Sequence, residues 1–343
     1  MKQGRTASRP ASAPAAAPGA LAIHRPLAST FGLVLEAPAG AAPGAGPEVL
    51  AGPAGEGWGG VAALLREHGA VLFRGFAGGR DGFLAVSEAL SRDFSTYRGG
   101  FFHDRKPVDG NATLLTVTGA EEGYAVPLHG EMYYNDRRPG LLWFHCERPA
   151  AEGGETTLAD GEEVWRRLGE ESRRLFTGRR VTYRRRLADG AWQEHFQTAD
   201  PAAAAALCAE GPTRFRHDPA TGEVTTELTD WAVHPGRSGE RDTFINNVVA
   251  LYLGELSSQR GTLPPSVRHL GAGRFPMVVR MEDGAPVPGR AIKELLEIHR
   301  RHAVAVRWQA GDFLVVDNTR VLHGRLAHSG GRQVTVRLAD PAF

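Results

Sequence analysis

The sequence predicts a mainly β chain with helical insertions, arranged as a double-stranded β-helix, or jelly roll. Runs of β-branched and aromatic residues of strand length dominate both ends of the 343-residue chain. Helical patterns interrupt the middle without the regular alternation of strand and helix that a doubly wound parallel sheet requires. An antiparallel double sheet with helices inserted into it accommodates both observations.

The first half of the chain alternates helical and strand patterns. An amphipathic stretch that begins near Trp58 predicts a short helix, and the apolar run AVLFRGF predicts a strand over 70–76. A second helix is predicted over 83–94. Two more strand patterns, TLLTVT and LLWFHCE, occupy 113–118 and 141–147, and the polar segment between them carries His129.

Helical patterns are concentrated between residues 160 and 300. In GEEVWRRLGEESRRLF, Val164, Leu168 and Leu175 fall on one face of a helix predicted over 161–176. The other helices of this part are predicted over 202–206, 243–256 and 290–302, with strands over 181–186 and 223–228. Three β-branched runs, which begin at Val304, Phe313 and Gln333, predict the closing strands.

The composition predicts one globular domain behind a short tail. Hydrophobic residues make up 42% of the chain and charged residues 23%, which suffices for a sizeable core. Residues 1–25 begin with an Ala-, Pro- and Ser-rich stretch and predict a disordered tail. We expect residues 26–343 to form a single jelly-roll domain with a helical insert around 160–300.

The charge balance and the cysteine count narrow the range of partners and compartments. The chain has 40 basic and 39 acidic residues, so no overall field draws it to nucleic acid or to an anionic membrane. No run reaches the ~20 apolar residues that a membrane-spanning helix needs. The two cysteines, Cys146 and Cys208, are too few for a disulfide framework and fit a reducing compartment. We therefore expect a cytoplasmic protein with a small-molecule ligand, and no oligomeric state is indicated.

A histidine and a carboxylate with metal-ligand spacing occur in the segment VPLHGEMYYNDRRP. In an extended backbone His129 and Glu131 point to the same side and can face one metal ion. The motif is weak by itself, because His145-x-Glu147 repeats it inside an apolar strand. We predict that His145 is a core residue or a supporting residue behind the site.

The C-terminal segment GDFLVVDNTRVLHGRLAHSGGRQVTVRL offers the further partners that the motif needs. An apolar strand ends at Asp317-Asn318, His323 follows, and Arg332 stands at the head of another strand. A jelly roll brings such distant segments side by side. Two histidines and one carboxylate on one face of an octahedral ion leave three positions open, as in non-haem Fe(II) oxygenases. The planar fork of arginine suits a carboxylate.

With these residues the sequence resembles the taurine dioxygenase branch of the Fe(II)/2-oxoglutarate-dependent oxygenases. Within that branch it is most similar to the amino-acid hydroxylases, including the aspartyl hydroxylases of the syringomycin-pathway type. The resemblance extends from about residue 58 to the C-terminus. Its matching segments, in chain order, are GAVLFRGF from Gly69, PLHGEM from Pro127, RPAAEGGETTLAD from Arg148, FINN from Phe244 and DNTRVLHGR from Asp317.

The resemblance implies a role for each matching residue in cofactor binding. It implies that His129, Glu131 and His323 bind Fe(II). It also implies that Arg332 holds the distal carboxylate of 2-oxoglutarate, assisted by Thr156, and that O2 is the third cofactor. Glu131 occupies the position at which the family's halogenases carry a small residue, so the resemblance argues against halogenation.

Residues of two segments are candidates for substrate binding. The family often places an arginine that grips the substrate's acid group on the last strand, where this chain has Arg337. Arg332 and Arg337 could exchange roles, because positions five apart on a strand face opposite sides unless a bulge intervenes. Asn246, together with its neighbour Asn247, is a candidate for binding a substrate amide, with helix capping as the alternative. Arg137, Arg138 and Arg325 also suggest an acidic substrate, although each could be a solvated surface charge.

The predicted function is hydroxylation of an unactivated C–H bond of a small acid or amino acid in secondary metabolism. The substrate is either free or bound to a carrier protein. Desaturation or cyclisation by the same type of enzyme is one alternative. A zinc-dependent hydrolase, which also uses two histidines and a glutamate, and a non-catalytic jelly-roll binding module are the others.

Overall fold

The computed structural model describes residues 23–28, 31–37, 57–76, 78–97, 105–117, 122–236, 239, 241–263 and 275–341. The strands are β1 (Ile23–Pro26), β2 (Leu33–Glu36), β3 (Ala70–Arg74), β4 (Ser91–Ser95), β5 (Pro107–Val108), β6 (Asn111–Thr116), β7 (Val126–His129), β8 (Leu141–Arg148), β9 (Glu152–Gly153), β10 (Thr156–Asp160), β11 (Arg180–Leu187), β12 (Arg214–His217), β13 (Val224–Trp231), β14 (His234–Pro235), β15 (Asp242–Thr243), β16 (Met277–Met281), β17 (Val304–Val306), β18 (Phe313–Asp317), β19 (Val321–Arg325), β20 (His328–Ser329) and β21 (Gln333–Pro341). The helices are α1 (Gly57–His68), α2 (Gly79–Leu90), α3 (Gly161–Arg167), α4 (Glu170–Phe176), α5 (Ala191–Phe196), α6 (Pro201–Ala209), α7 (Val248–Gln259) and α8 (Gly289–His302).

Two facing sheets form the jelly roll that the sequence predicts. The large sheet has the strand order β1-β2-β3-β18-β8-β21-β6-β5, with β4 also paired to β21, and the small sheet has the order β17-β10-β19-β7. Apolar side chains of both sheets fill the space between them, among them Leu142 and Val336 of the large sheet and Leu158 and Val321 of the small one. The predicted fold class is therefore confirmed.

Strand alternation gives the large sheet a second apolar face, which is covered by helices. Along β8, Leu142 and Phe144 point between the sheets, whereas Trp143 joins the outer cluster. Helices α1 and α2 pack against this outer face through Leu65 and Phe83. The large sheet is therefore buried on both sides, which is why β8 reads as a continuous apolar run.

The segment 161–302 packs on the other side of the small sheet. It holds helices α3 to α8 together with a separate sheet of order β12-β13-β11-β16. Ala159 and Leu322 of the small sheet share one apolar cluster with Val248 of α7 and Leu295 of α8. Helix α7 of this segment also reaches the cavity that holds His129 and His323. Among the helices that the structure describes, none is long and apolar enough to cross a membrane.

Three helix predictions are wrong in their extent. The helix predicted over 161–176 is interrupted after Arg167, where Glu294 accepts hydrogen bonds from Gly169 N and Ser172 Oγ. The helix predicted over 83–94 ends at Leu90, because 91–95 form strand β4 against β21. The helix predicted from residue 243 begins only at Val248.

The predicted tail is only partly within the described residues. Residues 1–22 lie outside them, and 23–25 belong to β1, which pairs with β2.

Candidate metal centre

The two histidines of the predicted site lie on adjacent strands of the small sheet. His129 is the last residue of β7, and it is the register partner of His323 in β19. Their ring centroids are 4.3 Å apart, and the ring of Phe144 lies 5.7 Å from that of His323. Since Phe144 belongs to the inner face of the large sheet, the pair faces the space between the sheets.

A sharp turn directly after β7 brings the carboxylate to the same place. Met132 adopts a left-handed backbone with φ +60°. Gly130, between the two ligand positions, has no room for a side chain, because a Cβ there would lie 2.4 Å from the ring of Tyr133. The turn therefore depends on glycine and on a strained neighbour, as is common at functional sites.

Asn318, which follows β18, fixes this turn from behind. Its Oδ1 accepts a hydrogen bond from Glu131 N at 2.9 Å, and its Nδ2 donates to Glu131 O at 3.1 Å and to Pro139 O at 2.8 Å. Asn318 is fully buried. The position of Glu131 is therefore set by backbone bonds to a side chain that comes from a distant strand.

The three side chains are arranged as ligands of one cation. Their donor atoms all lie within 4.8 Å of one another, and His323 Nε2 is 3.5 Å from Glu131 Oε2. His129 Nδ1 lies 2.8 Å from Pro127 O. A carbonyl can only accept, so Nδ1 carries the proton and Nε2 is left for a metal.

The protonation states also suit a divalent cation. Burial, followed by the neighbouring His323, lowers the pKa of His129 to about 4, so its imidazole is neutral at pH 7. Burial raises the pKa of Glu131, but Arg105, together with His323 and His129, outweighs this effect and holds the pKa below its usual range. A neutral imidazole at His129 and an ionised carboxylate at Glu131 fit Fe(II), which the family resemblance implies.

A second group of polar residues lines the same cavity. Arg332 donates from Nε to Gly154 O at 2.9 Å and lies 3.4 Å through Nη2 from Thr156 Oγ1. Trp308 Nε1 donates to the same hydroxyl at 3.1 Å. Because Thr156 Oγ1 accepts these bonds, its own proton can be donated to a ligand in the cavity.

The charge of this group suits an anion. Burial, followed by the nearby charge of Arg325, lowers the pKa of Arg332 to about 10. Within the part of the chain that the structure describes, no carboxylate pairs with Arg332. A bound dicarboxylate such as 2-oxoglutarate would relieve this repulsion and match the arginine fork.

One cavity of about 280 Å³ connects the metal ligands with Arg332 and Thr156. Tyr97, Arg105 and Tyr134 also line it. One face of helix α7 forms a further wall of the cavity. Its residues there are Ala250, Leu251, Gly254 and Ser257, preceded by the N-cap residue Asn247. Gly254 is in close contact with Phe275, whose ring a Cβ at 254 would approach to 2.3 Å.

The structure does not bring Arg337 to the cavity. Its side chain lies on the outer face of the large sheet, 3.6 Å over the ring of Phe94, and donates to Ser87 Oγ and Glu88 Oε1. A shift in register between Gln333 and Val334 does not change this outcome. Arg332 and Arg337 therefore have different surroundings. The expectation that Arg337 contacts the substrate is corrected: its side chain packs on the outer face of the sheet and has a structural role there.

Asn246 is likewise turned away from the cavity. Its Nδ2 donates to Ala232 O and its Oδ1 accepts from Val248 N, which fits the capping alternative. Its neighbour Asn247 lines the cavity instead, and Asn247 Oδ1 is buried without a hydrogen-bond partner among the described residues. Arg137 and Arg138, which the sequence offers as contacts for an acidic substrate, do not line the cavity. Arg137 pairs with Glu210, and Arg138 pairs with Asp230.

Sequence reasoning assigned no site role to Arg105, Trp308 or Asn318. Trp308 continues the alternation of buried Val306 in β17, so the period of two could have indicated it. Asn318 stood out only as a polar residue after an apolar strand. Arg105 lies in a polar segment without periodicity, where no local signal distinguishes it from a surface arginine.

Comparisons with known proteins agree with this geometry. The family model for the taurine catabolism dioxygenase TauD, TfdA family matches residues 33–339. The dapdiamide synthesis protein DdaC of Enterobacter agglomerans is 26% identical over 285 residues, which cover 82% of this chain and 84% of that protein. A clavaminate synthase-like protein of Arabidopsis thaliana is 28% identical over 289 residues, or 80% of this chain and 83% of that one.

Among solved structures, the chain is similar in fold to PvcB of Pseudomonas aeruginosa, with a TM-score of 0.53, 18% identity and coverage of 97% and 95% of the two chains. PvcB is an Fe, alpha-ketoglutarate dependent oxygenase from an isonitrile synthetic pathway.

Proposed function

Because the chain belongs to the taurine catabolism dioxygenase TauD, TfdA family, we propose that it hydroxylates an unactivated C–H bond of a small acid or amino acid. Its cofactors are Fe(II), 2-oxoglutarate and O2, and it is an enzyme of the 2-oxoglutarate-dependent type. The observation that carries the proposal is the convergence of His129, Glu131 and His323 in one cavity with Arg332 and Thr156.

Each residue of the site has a distinct task in this proposal. His129 Nε2, His323 and the Glu131 carboxylate hold the metal, and the hydrogen bond to Pro127 O keeps the His129 ring in its orientation. Arg332 and the Thr156 hydroxyl hold the distal carboxylate of 2-oxoglutarate. When bound, the iron and 2-oxoglutarate supply the oxidising chemistry with O2 and release succinate and CO2.

The protein's contribution beyond binding is to position the substrate and to limit access of water. Apolar residues of α7 line the same cavity as the candidate ligands, and the Phe144 ring lies beside His323, so an unactivated carbon can replace water there. Asn247 is the candidate for an amino or amide group of the substrate, because its Oδ1 is an acceptor in the cavity wall.

We further propose that the reaction belongs to secondary metabolism, on a substrate that is either free or bound to a carrier protein. The names of DdaC and PvcB point to biosynthetic pathways. The two cysteines, Cys146 and Cys208, are both free and buried, which supports a cytoplasmic setting.

The test is an anaerobic titration of the protein with Fe(II) and 2-oxoglutarate, followed by exposure to O2. We expect a visible metal-to-ligand charge-transfer band that is absent from His129→Ala. Free and carrier-loaded L-amino acids are then screened for substrate-dependent succinate formation, with the product mass as the second readout. A product that gains one oxygen atom supports hydroxylation, and a loss of two hydrogens contradicts it. The absence of the band overturns the proposed cofactors.

A further inference from the structure

We propose that Arg105 binds an acid group of the substrate, and that it selects substrates whose carboxylate lies close to the oxidised carbon. The inference rests on the proposed function, since it takes Glu131 as a metal ligand. It replaces Arg337, which the fold keeps away from the cavity, with a residue that no sequence pattern indicated.

Arg105 belongs to the cavity wall but not to the group that surrounds Arg332. Its neighbours are Glu131, Tyr97 and Tyr134, which all line the cavity. Arg332 instead contacts Gly154 and Thr156 and lies near the charge of Arg325. The cavity therefore has two separate arginine positions, and 2-oxoglutarate accounts for only one of them.

The partner of Arg105 is a group that the metal also uses. Arg105 Nη2 donates to Glu131 Oε2 at 2.8 Å, and the same oxygen lies 3.5 Å from His323 Nε2. A bound divalent cation is the largest local charge and takes over most of the carboxylate's electrostatic interaction. Metal binding therefore weakens the hold of Glu131 on the guanidinium and favours a second anion beside it.

The guanidinium is oriented for such an anion. The Arg105 side chain is 7% exposed, and its Cζ lies 4.2 Å from the centre of the Tyr97 ring. Stacking on the ring fixes the plane of the fork, so two parallel hydrogen bonds to a carboxylate form with little loss of freedom. A lysine at this position would offer the charge without the fork.

A second buried arginine adds to the positive potential. Arg185 Cζ lies 5.2 Å from the centre of the Tyr134 ring, and its Nη1 is 3.0 Å from His195 Nε2. Tyr134 and Arg105 line the cavity and Arg185 does not, so Arg185 acts through space and Arg105 is the arginine in position to contact the substrate. Two cations on this side of the cavity favour an anionic substrate over a neutral one.

The short distance between Arg105 and the metal ligands also limits where oxidation occurs. Because Arg105 touches Glu131 itself, a carboxylate held by Arg105 lies next to the metal position. We therefore place the oxidised carbon directly beside the acid carbon or one bond further along the chain of the substrate.

The test uses the full-length protein loaded with Mn(II) and N-oxalylglycine, an unreactive pair that takes the place of Fe(II) and 2-oxoglutarate. The probes are acetate with acetamide and propionate with propionamide, which differ in charge but little in shape. Relaxation of the probe protons by Mn(II) measures binding and, through its distance dependence, how close each proton lies to the metal.

The variants are Arg105→Gln, Arg105→Lys and Arg138→Gln. Arg138 is a matched control, because it stacks on Tyr133 at 4.4 Å and pairs with Asp230 but does not line the cavity.

We expect the wild type and Arg138→Gln to bind each acid about tenfold to hundredfold more tightly than its amide. Arg105→Gln should lose this preference, and Arg105→Lys should keep only part of it. Equal binding of acid and amide by the wild type, binding of neither, or a preference that survives in Arg105→Gln overturns the inference. If N-oxalylglycine itself leaves the Mn(II) relaxation of water unchanged, the proposed function fails instead.

Discussion

His129-x-Glu131, at the end of β7, and His145-x-Glu147, within β8, are two copies of the same motif, and only the first opens onto the cavity between the two sheets. His145 points to the outer face of the large sheet, where its ring stacks on Phe83 at 5.1 Å and an interplanar angle of 13°. Glu147 accepts hydrogen bonds from Arg80 Nε and Nη2. In the first copy, by contrast, both side chains lie close to a third candidate metal ligand, His323.

The difference shows what the spacing of a motif can and cannot specify. Within β8 the spacing of two residues puts His145 and Glu147 on one side of the strand, whereas Glu131 reaches the side of His129 through the turn after β7. In both copies the neighbouring strand decides what the histidine meets. His129 has His323 as its register partner, whereas His145 has Phe313 on one side and Thr335 on the other. The same contrast separates Arg332, which lines the cavity, from Arg337, which is packed under helix α2.

The largest difference is expected between removal of His323, which faces the cavity, and removal of His145, which faces the outer side of the large sheet. We expect His323→Ala to abolish the charge-transfer band of the Fe(II) and 2-oxoglutarate complex and all succinate formation. His145→Ala should retain both, because its ring is remote from the metal ligands. A band that persists in His323→Ala, or that disappears from a folded His145→Ala, would show that the metal lies elsewhere.

The two arginines extend the comparison to 2-oxoglutarate. Arg332→Gln should raise the KM for 2-oxoglutarate about tenfold to hundredfold, because a charged hydrogen bond is lost. Arg337→Gln should leave this KM unchanged and lower the free energy of unfolding by about 1–3 kcal/mol, since buried polar partners lose a donor. Succinate kinetics and urea unfolding measure the two effects. The opposite pattern would mean that the last strand is shifted by one residue.

A smaller difference in metal affinity is expected between variants of the residues that hold Glu131 and Glu147 in place. Asn318→Ala should weaken metal affinity about tenfold, because it frees the turn that carries Glu131. Arg80→Gln, which removes the partner of Glu147, should leave metal affinity unchanged. Competition with a metal chelator measures both. Equal losses in the two variants would indicate a general loss of stability instead.

The smallest expected effect concerns the pH dependence of stability. Burial lowers the pKa of His145, so the unfolded chain binds its proton more readily than the folded one. This histidine therefore costs stability as the pH falls below about 6.5, its pKa in an unfolded chain. His145→Phe should raise the free energy of unfolding by about 1 kcal/mol at neutral pH, because both buried ring nitrogens lack partners among the described residues.

The gain from His145→Phe should become larger on acidification. Urea unfolding above and below about pH 6.5 measures this dependence. A gain that stays constant over this range would contradict the assignment, since the remaining histidines are common to both proteins.

The fold class and the convergence of the three candidate ligands could be predicted because both depend on patterns that are visible in the sequence. Alternation marks the strands of both sheets, and the ordered motifs around His129 and His323 point to the candidate ligands. Orientation of individual side chains could not be predicted in the same way. Whether Arg332 or Arg337 faces inward depends on where the strand begins, and Asn246 and Asn247 differ by one position in a turn.

Other parts depend on contacts between segments that are distant in the sequence. The break in the helix predicted over 161–176 follows from Glu294, which comes from α8 and bonds to Gly169 N and Ser172 Oγ. The helical pattern around Leu168 gives no sign of it. Arg105 is functional in our proposal only because the fold places it beside Glu131, which lies in a separate segment.

The wall that α7 contributes to the cavity makes the protein a tractable starting point for directed evolution. The turn between His129 and Glu131 does not tolerate substitution, because Gly130 has no room for a side chain. On α7, by contrast, Ala250, Leu251 and Ser257 face the cavity from a regular helix. A saturation library at these three positions would vary the volume offered to the substrate while leaving the proposed iron ligands and 2-oxoglutarate contacts unchanged.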